Sequence, residues 1–279
     1  MAIRPSLSIL LVLAMLCILA CGADKVRPTA DSDAPPAAQD VVTAVTFETR
    51  TVERQKGPST VSFAYPVIKA APSEALKVAL TREIGNFLAP PTGDAKQAST
   101  PEATADQFLA DYQNERQADP DATPPWILSR KAEIAYQDPR VVSLRLSEEM
   151  SVSGPHGLST VHYASFDPAT GRRLGLAELF TSAGMARLTE LGEHEFRKVS
   201  QIPFEQSLTE AGFSFENGAF ALSDEIAVLA EGLVVYYNTY KIAPYAAGPT
   251  EIILPRSDLA PLAKPDGPLG PDMARVSAQ

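Results

Sequence analysis

The sequence predicts an α+β fold, with mixed or antiparallel sheets packed against about three helices. Two patterns support this class. In several segments apolar and polar residues alternate, which is typical of half-buried strands. In others, apolar residues recur every three to four positions, as on one face of an amphipathic helix. Because these segments come in blocks rather than in strict alternation, an α+β arrangement is favoured over a parallel α/β sheet.

We predict that two strands open the folded part and that two helices follow. Ser73 and Thr100 have the side chains of helix N-caps, and Pro101 suits the first helical position. Pro90 and Pro120 are expected to end the two helices. The apolar residues that define these elements are Val45, Phe47, Val61, Phe63, Tyr65 and Val67 on the strands, and Leu76, Leu80, Ile84, Phe87, Ala105, Phe108, Leu109 and Tyr112 on the helices.

A second block of strands and a third helix are predicted next. Ser143, Arg145 and Ser147 alternate with apolar residues and are expected on a solvated sheet face. The remaining predicted elements are strands at 126–136, 142–146, 158–166, 226–231, 233–238 and 251–255, turns at 154–157 and 167–171, and a helix that buries Met185, Leu188, Leu191 and Val199.

Residues 1–20 have the features of a bacterial lipoprotein signal peptide. Arg4 supplies a short positive region, and residues 6–20 form an uncharged apolar run that is shorter than a membrane-spanning helix. The run ends in a small residue directly before Cys21, so we predict cleavage there and lipidation of the Cys21 thiol. Two alternatives stay open, namely cleavage after Ala23 without a lipid and an uncleaved short anchor.

Residues 21–40 are predicted to be a flexible tether. They contain no aromatic residue and few large apolar ones, so they cannot bury enough surface to offset the entropy of ordering. Gly22 follows the cysteine, and this favours the periplasmic face of the outer membrane if the cell has two membranes. We therefore expect a protein of the bacterial cell envelope that is held to its membrane by lipid.

Charge and cysteine content exclude further classes. The chain has 24 basic and 34 acidic residues, so its formal net charge is −10, and removing Arg4 with residues 1–20 leaves −11. An acidic chain without a basic run has no electrostatic footprint for nucleic acid, so we expect no nucleic-acid partner. After processing, Cys21 is the only cysteine left, which excludes a disulfide framework and leaves a packed core to stabilise the domain.

The motifs of common catalytic and cofactor sites are missing from the sequence. There is no G-x-S-x-G elbow, no Walker or G-x-G-x-x-G glycine loop and no H-E-x-x-H pair. His156, His162 and His194 do not have the spacing of a zinc site. We therefore predict no catalytic residue, no metal site and no cofactor, with His162 on a sheet face and His194 on a solvated helix surface.

One segment is unusual in its density of tyrosines. Residues 236–249 contain four of them, beside a Gly-Pro turn. Tyrosine offers rigid apolar area with a polar tip, which suits the binding of glycans or proteins. We therefore take Tyr240 and Tyr245 as candidate binding residues. The alternative is that these rings cover the end of a sheet.

Two stretches resemble a known pair of extracytoplasmic domains. Residues 154–180 resemble its glycine-rich turn with histidine followed by FD-x-x-TG-x-x-L, and residues 233–259 resemble its Y-x-x-Y-x-I-A-P-Y-A-x-G-P segment. That pair forms the ectodomain of the anti-sigma-V factor, which senses lysozyme, and the N-terminal region of PdaC-type peptidoglycan deacetylases. In the family the pair is a non-catalytic envelope module. The resemblance makes His156 a third candidate binding residue. The turn here reads Gly-Pro-His-Gly instead of the family's Gly-Gly-x-His, and this departure weakens the role that is carried over to His156.

The resemblance implies a division of the chain and a function. We expect an N-terminal lobe over 41–166, a C-terminal lobe over 167–262 and a frayed tail over 263–279. The function that we expect is non-enzymatic binding in the envelope, with peptidoglycan or a lysozyme-type protein as the partner. Two alternatives are a wall-glycan hydrolase that acts through carboxylates and His156, and a structural assembly lipoprotein.

Overall fold

Two sheets and three longer helices build the fold in the computed structural model, which describes residues 43–90, 100–119, 124–152 and 156–271. The α+β class is therefore confirmed. The predicted signal peptide, Cys21 and the tether lie outside the described residues. The described residues belong to one compact unit, and the boundary between the two lobes stays a prediction.

The first sheet has five strands in the order β1-β2-β3-β4-β5. The pair β2–β3 is parallel and the other pairs are antiparallel, so the sheet is mixed. Parallel neighbours need a crossover connection, and the two helices between β2 and β3 supply it. The strands are β1 (Thr46–Lys56), β2 (Ser59–Ala70), β3 (Ile127–Asp138), β4 (Val141–Ser151) and β5 (Leu158–Phe166).

Helices α1 (Glu74–Leu88) and α2 (Pro101–Ala118) cover one face of this sheet. Both predicted N-caps are confirmed: the Ser73 hydroxyl accepts the Leu76 N–H at 3.1 Å, and the Thr100 hydroxyl accepts the Ala103 N–H at 3.1 Å. The predicted apolar face of α1 forms the core with β2, β4 and β5. The first helix pair thus follows directly from capping residues and apolar periodicity.

The second half of the chain builds a smaller sheet and a further long helix. Its strands β6 (Ile226–Val228), β7 (Gly232–Tyr237) and β8 (Thr250–Pro255) are all antiparallel neighbours. Helix α4 (Ser182–Val199) packs against β8, and the short helices α3 (Leu176–Leu179) and α5 (Arg256–Leu259) flank it. The predicted helix is confirmed, but Val199 is exposed, and Phe196, which the apolar pattern did not single out, is fully buried.

The second face of β4 differs from the prediction. Ser143 was expected in solvent, but it is fully buried. Its hydroxyl donates to the Val228 carbonyl oxygen at 2.7 Å and lies 2.8 Å from the Ser165 hydroxyl, which accepts the Val228 N–H at 3.0 Å. Strand β6 therefore packs on this face, and the two serines give its backbone hydrogen-bond partners.

The predicted turn at 167–171 docks against the start of α1. The Ser73 hydroxyl donates to the Pro168 carbonyl oxygen at 2.7 Å, so one side chain both caps the helix and holds the turn. Gly171 has φ +67°, and a Cβ there would lie 2.4 Å from the Ala75 carbonyl oxygen. Only glycine tolerates this conformation and this approach together.

The end of the chain also needs a correction. A frayed tail was expected from residue 263, but Ala263 and Leu269 are buried in the core of the second half. The Lys264 N–H donates to the Leu179 carbonyl oxygen at 2.9 Å. Proline and glycine are frequent here because the chain turns tightly, so composition alone suggested a loose end. Residues 272–279 lie outside the described part.

Candidate functional site

The three candidate binding residues come together at the surface. The rings of His156 and Tyr245 stack with centroids 4.8 Å apart and an interplanar angle of 16°. The ring of Tyr240 lies 5.6 Å from that of Tyr245. Tyr240 is 63% exposed and Tyr245 is 38% exposed. We call these three residues the surface aromatic cluster.

Two loops at the same end of the fold supply this cluster. His156 precedes β5, whereas Tyr240 and Tyr245 follow β7. The Tyr245 hydroxyl donates to the Gly157 carbonyl oxygen at 3.4 Å, which links the loops. Tyr240 has φ +70°, a left-handed conformation that is uncommon for a residue with a side chain.

Asn238 connects the tyrosine segment to the first sheet. Its amide nitrogen donates to the Val161 carbonyl oxygen at 2.8 Å, and its amide oxygen accepts the Val161 N–H at 2.8 Å. The side chain thus occupies the place that a neighbouring strand would take on β5. Because Tyr240 lies two positions further on, this anchor fixes where the exposed rings begin.

The other two tyrosines of the segment belong to the interior. Tyr237 is 2% exposed, and its hydroxyl donates to the Ala221 carbonyl oxygen at 2.8 Å. Burial raises the pKa of Tyr237 far above its ordinary value. Tyr236 is half-buried and meets Tyr163 edge to face at 6.1 Å. The segment is therefore divided: Tyr240 and Tyr245 are exposed, whereas Tyr236 and Tyr237 pack against the fold.

A second feature is an open groove of about 560 Å³ that the sequence did not indicate. We call it the polar groove. Three ion pairs lie along it, with N–O distances of 2.6, 2.8 and 3.0 Å: Arg130–Glu148, His162–Glu225 and Arg173–Glu83. The two members of each ion pair are 18, 63 and 90 residues apart in the chain, so no local sequence motif could have indicated the groove.

The His162–Glu225 pair has shifted proton affinities. The hydrogen bond that His162 donates to the Glu225 carboxylate raises the pKa of His162, and this outweighs the opposite effect of burial. Burial alone would raise the pKa of Glu225, but hydrogen bonds from His162 and from the Tyr163 N–H lower it overall. Glu225 is therefore held ionised, the opposite of what a general acid of a glycoside hydrolase needs.

The remaining histidine is where the sequence placed it. His194 is exposed on α4, with its ring 5.5 Å from that of Phe204. His162 lies on the face of the first sheet, as expected. Among the described residues, no group of three or more His, Cys, Asp or Glu side chains could hold a metal ion.

None of the helices in the described part of the chain is long and apolar enough to cross a membrane.

The chain is similar to known proteins both in part of its sequence and in its fold. Residues 177–257 match the family model described as a protein of unknown function, DUF3298. A DUF3298 family crystal structure from Bacteroides fragilis is similar, with a TM-score of 0.64, 18% identity and coverage of 80% of this chain and 94% of that one. A DUF3298 family protein from Pseudomonas aeruginosa gives a TM-score of 0.58 at 18% identity, over 82% of this chain and 97% of the other.

No curated protein matches the chain. At 18% identity the two solved structures show the fold alone. The family match falls within the predicted C-terminal lobe, in the part that holds α4, the smaller sheet and the tyrosine segment. The chain thus carries a DUF3298 domain match at 177–257 on a fold that proteins of the DUF3298 family share.

Proposed function

We propose that this protein is a lipid-anchored, non-enzymatic binding protein of the bacterial envelope, with the surface aromatic cluster as its recognition surface. The observation that supports this proposal is the exposure of Tyr240 and Tyr245 beside His156. Large exposed aromatic side chains on ordered backbone are the residues that most often dominate binding free energy. The buried hydroxyl of Tyr237 and the half-buried ring of Tyr236 hold the segment in place without occupying the cluster.

Charge favours one of the two expected partners. The predicted mature chain has a formal net charge of −11, that is, 24 − 34 − 1. Such a protein attracts a basic partner and speeds the encounter with it. We therefore propose a basic protein of the lysozyme type as the ligand of the surface aromatic cluster, in preference to peptidoglycan. This partner is also what the resemblance to the anti-sigma-V factor ectodomain implies.

The test compares tyrosine variants with a matched control. Tyr245→Ala and Tyr240→Ala should each lower affinity for immobilised lysozyme about thirtyfold, the loss expected for a hot-spot ring. Phe204→Ala is the control, because Phe204 is 65% exposed and its ring lies beside His194 of α4. Equal losses in all three variants, or no binding by the unmodified chain, would contradict the proposal. Co-sedimentation with purified wall sacculi tests peptidoglycan as the other partner.

The anchor has its own test. Replacing Cys21 by Ala should move the protein from the membrane fraction to the soluble fraction of the envelope, because the acyl chains supply the membrane affinity. A Cys17→Ala variant is the matched control and should stay in the membrane. If the Cys21 variant also stays there, the lipid anchor is the wrong explanation.

A further inference from the structure

We infer that the polar groove is a second binding site, for an uncharged ligand rich in hydroxyl groups, of the oligosaccharide class. The groove shares no residue with the surface aromatic cluster. Its volume of about 560 Å³ lies within the usual range of small-molecule sites. The inference therefore goes beyond the proposed function and assigns a different ligand to a different place.

The floor of the groove is one face of the first sheet. Arg130, Glu148 and Thr160 are aligned across β3, β4 and β5, because Arg130 pairs with Glu148 and Glu148 pairs with Thr160 in the strand register. His162 lies beside Leu146 in the next row. Residues on adjacent strands keep fixed spacings, so these polar groups are presented in a regular array.

Packing holds the floor rigidly. The Arg130 side chain is only 12% exposed, and its guanidinium lies over the rings of Phe63 and Phe87, 5.6 and 5.9 Å from their centroids. Nη1 of Arg130 donates to the Leu88 carbonyl oxygen at 2.8 Å, at the end of α1. Since the guanidinium is fixed on both sides, the Glu148 carboxylate paired with it is fixed as well.

The rim of the groove is held by hydrogen bonds, although its side chains are more exposed than those of the floor. Arg173 donates from Nη1 to Glu83 at 3.0 Å and from Nη2 to the Tyr163 carbonyl oxygen at 2.9 Å. Glu225 binds His162 through one oxygen and accepts the Tyr163 N–H through the other at 3.0 Å. A ligand therefore meets preformed polar groups and orders few side chains, which lowers the entropic cost of binding.

The pairing of charges favours an uncharged ligand. Each of the three carboxylates already has a basic partner within 3.0 Å, an arginine for Glu148 and Glu83 and His162 for Glu225. An ionic ligand would have to displace one of these partners. A hydroxyl group does not, because it donates to the remaining lone pairs of a carboxylate and accepts from an N–H or O–H donor. Asn86 and Thr160 add further donors and acceptors along the groove.

Apolar side chains also line the groove, namely Phe87, Pro90 and the buried Leu146. A sugar ring has apolar C–H faces as well as hydroxyl edges, so it can contact the partly exposed Phe87 and the exposed Pro90 while its hydroxyls meet the ion pairs. A purely apolar ligand would leave the polar groups without partners, at a cost in binding free energy. The combination therefore points to oligosaccharides.

The experiment follows backbone amide signals of the full chain, purified in detergent, during titration with tetramers of N-acetylglucosamine and of glucose. Saturable shifts are expected for at least one tetramer at Thr160, His162 and Arg173, with a dissociation constant on the order of 1 mM. Affinity should not change between about 50 and 500 mM salt, because the ligand carries no charge. A steep fall with salt would overturn the uncharged assignment.

Variants locate the site. A Thr160→Ala, Asn86→Ala double variant should weaken oligosaccharide binding about tenfold through lost hydrogen bonds. Thr49→Ala, an exposed strand threonine on β1, should leave it unchanged. Tyr245→Ala should also leave it unchanged, which separates this site from the proposed function. No shift with either tetramer, or shifts confined to the surface aromatic cluster, would overturn the inference.

Discussion

Two groups of aromatic rings in this protein have similar spacing and opposite surroundings. In the interior, Phe196 has ring centroids 5.0 to 5.7 Å from four others. In the surface aromatic cluster the spacings are 4.8 and 5.6 Å. Yet Phe196 is fully buried, whereas Tyr240 is 63% exposed. Ring spacing alone therefore does not distinguish a buried aromatic core from an exposed aromatic cluster. We call the first group the buried aromatic cluster; its members are Phe196, Phe213, Phe215, Phe220 and Tyr237.

The difference comes from the elements that supply the rings. The buried aromatic cluster joins α4, the segment before β6, and β7, so its rings fill the space between a helix and a sheet. The surface aromatic cluster uses only loops beyond the ends of strands, where no other element of the described ranges covers the rings. Packing free energy should accordingly reside in the first group and binding free energy in the second.

The largest expected effect is on the buried side of this comparison. Phe196→Ala should lower the free energy of unfolding by about 3–5 kcal/mol, because it removes a fully buried ring and leaves a cavity. Val199→Ala on the same helix is the control; Val199 is 47% exposed, so the cost should stay within about 0.5 kcal/mol. Urea denaturation measures both. Equal costs would erase the distinction between buried and exposed positions of α4.

Substitution of Asn238, which lies between Tyr237 of the buried cluster and Tyr240 of the surface cluster, should give the next largest effect on stability. Asn238→Ala removes both hydrogen bonds to the Val161 backbone, and Val161 is buried, so we expect a loss of about 1–3 kcal/mol in the free energy of unfolding. Affinity at the surface aromatic cluster should fall too, since its anchor is gone. Asn86→Ala, at an exposed helix position, controls for the loss of an asparagine. A stable variant with normal affinity would show that the two clusters are independent of this anchor.

The pair of His162 on β5 with Glu225 should make the free energy of unfolding depend on pH. The raised pKa of His162 adds stability that is complete below about pH 6.5 and is lost as pH rises through the folded-state value. The lowered pKa of Glu225 adds stability that is complete above about pH 4.5 and is lost as pH falls through the folded-state value. The difference between the unmodified chain and Glu225→Gln should therefore be largest between about pH 4.5 and 6.5.

Its size should be modest, below about 1 kcal/mol, because the His162 side chain is 48% exposed and solvent screens the pair. Urea denaturation between pH 3 and pH 9 is the measurement, with His162→Gln as the matched variant. A difference that stays constant over the whole range would mean that the pair is not ionic in the folded protein.

The smallest effect on stability is expected at the surface aromatic cluster. Tyr240→Ala should change the free energy of unfolding by less than about 0.5 kcal/mol. Tyr240→Gly should be more stable than the alanine variant by roughly 0.5–1 kcal/mol, because φ is +70° and glycine adopts this conformation without strain. Both variants should lose partner affinity alike. A large drop in melting temperature for either one would place Tyr240 with the core.

The sequence was most informative where a rule acts within a few residues. Ser73 and Thr100 mark helix starts because an N-cap contacts the backbone three positions away. Strand β5 was predicted with its observed bounds, since alternation is local as well. The burial of Ser143 could not be predicted, because it depends on β6, which lies 85 residues further along the chain at Val228.

In the candidate sites, too, local sequence patterns could be predicted and contacts between distant parts of the chain could not. A dense run of tyrosines indicated Tyr240 and Tyr245, but only the fold separates them from the buried Tyr237. The polar groove could not be predicted from the sequence, because His162 and Glu225 are 63 residues apart and a single histidine on a strand matches no sequence motif. Phe196 was missed since its partners come from an irregular segment without periodicity.

The outer edge of β5 indicates whether the first half of this protein would be stable and soluble without the second half. Its backbone is satisfied by side chains from the second half: Asn238 at Val161, and Glu225 and Arg173 at Tyr163. A fragment that ends at Phe166 would keep a nine-residue strand with open hydrogen-bonding groups. Such an edge invites pairing with other chains and aggregation. We therefore expect that the two halves are not exchangeable modules, and that recombination which separated them would leave a first half prone to aggregation.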